Sequence, residues 1–384
     1  MLAWLALVLP ACQLPSPKTG PLRDRGDWGT IRAQVKLQLA DKQMTGGAFA
    51  DATRTLNEAI ALDPTLPRAF ARLAEANLEL GNLASAQEAL DVARKQNLSS
   101  AELTYMQGVV DEQQEHTDSA YKNYAAARKL DAKNVDYVVA EAETLVEQDR
   151  PREALALLQS VRGKVDDEST IELLAARVAT LVGDDEQALR HYRAALSGKS
   201  ESDAVREELG LLLARMKRCN EALPLLNEAI ERNPETFGAV FRALAQCLLN
   251  SADPEGAIAA LGGYIKSHPT DGAAQLLFAQ AAIAAHDLLS ASAALDAASR
   301  HGSRQGEVGL LRAVIDFKRG DFDRAESRLA ALGDLVDEDP DVLCLIGEVR
   351  LSQQRSAEAR TYFERALRAD PKSSWAQRRI RDSG

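Results

Sequence analysis

The chain has 384 residues, with 46 Lys and Arg against 57 Asp and Glu, for a formal net charge of −11. That balance excludes nucleic acid as an expected partner, since phosphate backbones are bound by dense positive charge. Hydrophobic residues make up 46% of the chain but aromatics only 5%; the rest of the apolar share is rich in alanine, which suits close helix contact and predicts an all-α chain.

The N-terminus opens with an apolar run from Leu2 to Leu9, too short to span a bilayer as a helix but long enough for a signal-peptide core. It ends in Leu9, Pro10, Ala11 and Cys12. That ending resembles the bacterial lipobox, where a small residue precedes the cysteine that is acylated after cleavage. The resemblance implies a signal peptide over 1–11 and lipidation at Cys12. Because Gln13 and not aspartate follows, it further implies the periplasmic face of the outer membrane. Residues 12–29 carry Pro15, Pro17, Gly20, Pro21 and Gly26 and are expected to form a disordered tether behind the lipid. The alternative expectation is a cytoplasmic protein in which 1–29 is merely a disordered tail.

From residue 30 to 371 the sequence repeats itself. Alanine recurs at Ala52, Ala86, Ala120, Ala154, Ala188, Ala222, Ala257, Ala291, Ala325 and Ala359, at intervals of 34 residues with one of 35. Twelve residues before each stands another tiny side chain: Ala40, Ala74, Gly108, Ala142, Ala176, Gly210, Ala245, Ala279, Ala313 and Gly347. One helical turn after each marker comes a large one: Leu56, Leu90, Tyr124, Leu158, Tyr192, Leu226, Leu261, Leu295, Leu329 and Phe363. Gly47, Gly81, Gly183 and Gly320 share one turn position between the two helices of a unit, where a residue able to take positive φ ends a helix. The extra residue of the 35-residue interval is expected in the connection from Glu235 to Gly238. Residues 372–384 are expected to cap the array, with Trp375 and Ile380 shielding its last face and Arg378, Arg379 and Arg381 in solvent.

This order of small, small and large residues, closed by Pro64, Pro234, Pro269 and Pro371, resembles the tetratricopeptide repeat, and with the leader it is similar to bacterial lipoproteins of the cell envelope built from such repeats. The resemblance implies an all-α, right-handed superhelical solenoid of ten helix-turn-helix repeats with a concave groove. The first-helix leucine of that pattern is replaced by Gln107, Glu141 and Arg312, so those helices are expected to pack less firmly.

The family's groove is lined by outward positions of each first helix. Here these are Arg68, Glu75, Glu79, Glu102, Tyr105, Glu112, Asp136, Glu143 and Glu147, an acidic strip in repeats two to four. Arg177, Arg215 and Arg242 follow, and then Leu276, Ile283, Leu310, Val314 and Phe317, an expected apolar surface. Leu37 and Asp41 stand where a carboxylate-gripping Lys and Asn would be, so chaperone tails are not the expected ligand. Five scattered histidines, no CxxC and no phosphate loop, dinucleotide fingerprint or nucleophile elbow predict no catalytic residue, metal or cofactor. Cys219 and Cys247 are expected to be neighbours on antiparallel helices, as two separate thiols or, in an exported chain, as a bridge, with Cys344 a small core residue.

The function expected is therefore that of a non-catalytic scaffold which binds protein or peptide partners in its groove. The lipobox directs it to the assembly of a surface structure such as a pilus, secretin or exporter; the alternative is a cytosolic adaptor.

Overall fold

A computed structural model describes residues 25–197, 202–233, 238–303, 305–333 and 339–382. Cys12, the leader and most of the tether lie outside them, as do residues 234–237, where the 35-residue interval places its extra residue. All described secondary structure is α-helical, and no helix among the described residues is long and apolar enough to cross a membrane.

The chain divides after Leu174 into two compact units. Unit 1 holds α1 (Arg25–Thr45), α2 (Phe49–Leu62), α3 (Pro67–Glu79), α4 (Leu83–Lys95), α5 (Ala101–Gln113), α6 (Thr117–Leu130), α7 (Val135–Glu147) and α8 (Pro151–Val161). The division falls within α9 (Glu168–Leu181). Unit 2 holds α10 (Asp185–Ser197), α11 (Asp203–Arg215), α12 (Cys219–Arg232), α13 (Gly238–Asn250), α14 (Pro254–Ser267), α15 (Gly272–Ala284), α16 (Leu288–Arg300), α17 (Gln305–Lys318), α18 (Phe322–Ala330), α19 (Pro340–Ser352), α20 (Ser356–Ala369) and α21 (Ser374–Asp382). The last residues of the expected tether, Arg25 to Gly29, belong instead to the start of α1.

Three-residue turns fold consecutive helices into antiparallel pairs, and within each unit one pair stacks on the next. The turn geometry recurs with the sequence period. Gly47, Gly81, Glu115, Asp149, Gly183, Lys217, Ala252, His286, Gly320 and Gln354 all have φ between 58° and 80°. In each the left-handed residue lets the chain leave one helix and enter the next almost at once.

Every small and large position of the period is buried. The reason is steric. At Gly108 a Cβ would lie 2.6 Å from Tyr124 Cε1, so the pair α5–α6 closes only because the facing residue has no side chain. Each fully buried leucine of this set contributes about 2 kcal/mol relative to an exposed one.

The polar residues that interrupt the period are tied by hydrogen bonds. Arg94 Nη2 donates to Gln107 Oε1 at 2.6 Å, and Arg128 grips buried Glu141 through Nε at 2.5 Å and Nη2 at 3.2 Å. Arg162 Nε donates to buried Glu172 at 2.5 Å, and in unit 2 Arg312 Nη2 donates to Asp296 at 2.7 Å. Each link ties a first helix to the second helix of the pair before it, or at Arg162 to the residue that ends it, a hydrogen bond where an apolar contact would stand; as expected for Gln107 and Arg312, α5 and α17 meet the preceding helix less extensively than α3, α13 or α15 do. The cap is tighter than expected. Trp375 Nε1 donates to Glu348 Oε1 at 2.8 Å, and Arg379, still partly in solvent, pairs with the same carboxylate through Nη2 at 2.7 Å.

A further correction concerns the expectation of separate thiols in unit 2. Cys219 at the start of α12 and Cys247 in α13 are joined as a disulfide across a Cα–Cα distance of 5.0 Å. Register alone places them side by side, and the bond follows once two thiols share a buried seam within bridging distance. Cys344 remains a buried free thiol, as expected.

Candidate partner-binding site

First helices touch their counterparts in neighbouring pairs as well as their own partners, so side chains one turn apart on α3, α5 and α7 converge on a common wall. In unit 1 that wall encloses a cleft of ≈ 540 Å³ lined by Ala71, Arg72, Glu75, Leu78 and Glu79 of α3, Glu102, Tyr105, Met106, Val109 and Gln113 of α5, and Asn134, Asp136 and Tyr137 at the start of α7. Four carboxylates therefore face one guanidinium.

An aromatic stack lies beneath the charges. The ring of Tyr105 lies 5.4 Å from that of Tyr124 and 5.0 Å from that of Tyr137. Tyr124 donates its hydroxyl proton to Glu112, which fixes the stack from behind. The acidic field shows in the hydroxyls: burial, then Asp136, Glu112, Glu75 and Glu143, hold the Tyr105 phenol above its ordinary range, and burial with Glu102, Asp131 and Asp136 pushes Tyr137 up to about 12. The resident cations are engaged. Arg72 Nη1 donates to Glu75 at 2.6 Å and Nε lies 3.2 Å from Asp41, while Arg68 bridges Asp41 at 3.2 Å and Glu102 at 3.8 Å. Such a site can take an ammonium or guanidinium group against a tyrosine face, where charge and ring quadrupole both favour a cation.

Of the residues expected in the acidic strip, Glu75, Glu79, Glu102, Tyr105 and Asp136 line the cleft, and Arg68 stands at its edge. Glu112 is exposed behind the stack, and Glu143 and Glu147 are exposed on α7 outside the lining. In unit 2 the expected arginines are tied between pairs. Arg177 donates to Glu208 at 2.6 Å, Arg215 to Asp185 at 2.5 Å, and Arg242 to Asp271, which also accepts from Tyr264 Oη at 3.0 Å. Burial pushes the Asp271 carboxyl up, yet the Ala274 amide, Tyr264 and Arg242 outweigh it and hold it below the usual range.

The apolar surface expected from Leu276 to Phe317 is corrected. Leu276 and Ile283 belong to the buried core, Leu310 and Val314 are half-buried against it, and Phe317 packs on Phe322 at 5.8 Å. Leu276 and Ile283 turn inward because α15 is almost wholly apolar, interrupted only by Gln275 and Gln280, so no polar face marks its outward register. Unit 2 has instead a mixed cleft of ≈ 600 Å³ lined by Arg242, Gln246, Gln280 and Glu307 beside Leu276 and Leu277, so two of the expected groove residues, Arg242 and Leu276, do reach it.

Arg72 and Tyr137 are the charged and aromatic lining residues that the sequence reading misses. Tyr137 occupies the register of Ala69 and Leu103, both core positions, and an aromatic ring there is long enough to reach the wall. An aromatic at a position otherwise small or aliphatic is the signal that would have found it.

Models of the tetratricopeptide repeat match residues 43–108, 213–281 and 310–374, together more than half of the chain. No curated protein matches it. Among solved structures it is similar to a thermophilic repeat protein of Thermus thermophilus, at 22% identity and a TM-score of 0.41, over 47% of this chain and 98% of that one. It is also similar to pilF of Pseudomonas aeruginosa, at 16% identity and 0.47, over 56% and 96%, and to a repeat protein of Parabacteroides merdae, at 15% and 0.45, over 74% and 98%.

Proposed function

The chain belongs to the tetratricopeptide-repeat family, whose members bind protein or peptide partners, and on that premise we propose that it is a scaffold holding a basic segment of a partner protein in the unit 1 cleft. The observation that carries the reading is the cleft itself, where Glu75, Glu79, Glu102 and Asp136 surround a tyrosine face, with Arg72 in the lining and Arg68 at the edge, both already paired. An incoming lysine or arginine gains both charge pairing and ring contact there, each worth about 0.5–1 kcal/mol at a half-exposed site.

The proposal extends to where the scaffold works: a lipid-anchored protein of the cell envelope, held by Cys12 and serving the assembly of a surface structure. The disulfide between Cys219 and Cys247 supports an exported chain, since such bonds persist in oxidising compartments and are rare in the cytosol.

Titration with a fluorescent peptide of alternating arginine and glycine tests the cleft. Affinity is expected to fall steeply between about 0.02 M and about 0.5 M salt, as screening shortens to a few ångströms. Glu75→Lys with Asp136→Lys is expected to weaken binding about tenfold or more; equal affinity in that variant at low salt would sink the reading. For the anchor, Cys12→Ser is expected to move the protein from the membrane fraction to the soluble one.

A further inference from the structure

We infer that the outer face of α1 is a docking surface for one amphipathic helix of a partner protein, apolar along its contact stripe and acidic where it meets Arg32 at one side and Lys42 at one end. Trp28, Ile31, Val35 and Leu39 are 68%, 49%, 60% and 48% exposed. At 100° per residue they fall within an arc of about 80° and extend over about 17 Å of helix. The opposite side of α1 is fully used, with Leu37 and Ala40 buried against Ala52 and Leu56 of α2. The stripe is therefore a second apolar face, and four large side chains held in water along one line mark an interaction site. None of them lines the unit 1 cleft.

The repeat register identifies what fits there. Val35 corresponds to Ala69, Leu103 and Tyr137 of the next three first helices, and Leu39 to Leu73, Gln107 and Glu141. Ala69 and Leu73 are buried in a cluster with Leu56 of α2, and Leu103 in one with Leu90 and Ala93 of α4. Gln107 is held by Arg94 of α4 and Glu141 by Arg128 of α6. At each of these the cover is the second helix of the preceding pair. On α1 the same face is shaped for a helix in that packing geometry, and Trp28 and Ile31 lengthen it beyond the ordinary repeat.

Charge selects the kind of helix. Arg32 borders the stripe on one side and Lys42 continues its line one turn beyond Leu39, both exposed, while Lys36 is occupied by Glu58. A second copy of α1 packed antiparallel would bring Arg32 near its own counterpart, whereas acidic residues at that side and end of an incoming helix complement both cations.

The test uses the full chain in a Trp4→Phe background, so that Trp28 and Trp375 of unit 2 are the emitters. The probe is a stapled helical peptide of residues 47–66, the helix that covers the equivalent face of α3, which carries Asp51, Glu58 and Asp63. Addition of the peptide is expected to shift emission to the blue in a saturable way, and Leu39→Glu, which removes one exposed side chain and leaves helicity unchanged, is expected to weaken that binding about tenfold or more. No shift, or an equal shift in Leu39→Glu, overturns the inference. So does a concentration-dependent dimer that Leu39→Glu dissociates, which assigns the face to a second copy. A shift with phosphatidylethanolamine–phosphatidylglycerol vesicles and none with the peptide assigns it to a membrane. Emission already blue in the free chain and unmoved by peptide assigns it to residues 1–24.

Discussion

At Gly210 a Cβ atom would lie 3.0 Å from Leu226 Cδ2 and 3.4 Å from Leu225 Cβ, so one methyl group would already press on its neighbours and a leucine would have no room. Gly210→Leu is expected to destabilise unit 2 by about 1–3 kcal/mol through overpacking, read as a lower midpoint in urea; an unchanged midpoint would contradict the pairing of α11 with α12. The residues that set this contact were legible in the sequence because they are chemically extreme: only Ala or Gly serves on one side, and the large partner follows sixteen positions later. The turns were less legible. Glycine announces a left-handed conformation at Gly47 or Gly81, but Glu115, Lys217 and Ala252 adopt it as well, held there by the helices on both sides, and their side chains carry no such signal. The two cysteines lie between these cases, since register places them together while bond formation depends on a separation that only coordinates give.

Along the seams between helical pairs, the elements are joined by two kinds of contact, and the rarer polar kind decides how they respond to mutation. Glu141 is buried and accepts two hydrogen bonds from Arg128, whose side chain keeps 23% exposure. Removing the carboxylate alone leaves the guanidinium half-buried without its partner. Glu141→Ala is therefore expected to cost about 1–3 kcal/mol, the lower part of the range for broken buried pairs because Arg128 still reaches water. Replacing both partners, Arg128→Met with Glu141→Leu, restores an apolar seam and is expected to recover most of that loss. Chemical denaturation of the three variants checks this; a double variant no more stable than the single one would show that the seam between α6 and α7 needs its charge. The element level also explains the misjudged surface of unit 2. A helix such as α15, almost wholly apolar, gives a sequence reader no angular preference with which to separate core from groove, whereas the acidic residues on α3 and α5 mark one side clearly.

At the scale of the whole molecule, a chain of nearest-neighbour contacts has no single core to distribute a local loss, so a perturbation should stay close to where it is made. The disulfide offers a clean way to see this, because it lies within unit 2 and closes a loop of sequence separation 28. Cross-linking a loop of that size restricts the unfolded chain by about 3–4 kcal/mol in the entropic account of such bonds. Cys219→Ser with Cys247→Ser is expected to lower the stability of α12 and α13 by an amount of that order while leaving α1 to α7 as they were. Cys344 serves as the internal control: burial pushes its thiol up to about 11, so it is a poor nucleophile for exchange with the bridge. Hydrogen exchange by mass spectrometry, compared with and without a mild reductant, reads the two units separately. Faster exchange confined to the segments around Cys219 and Cys247 is the expected result. Equal acceleration in α3 to α6 would mean that the two units unfold as one, and protection unchanged by reduction would mean that the seam between α12 and α13 is held by packing alone.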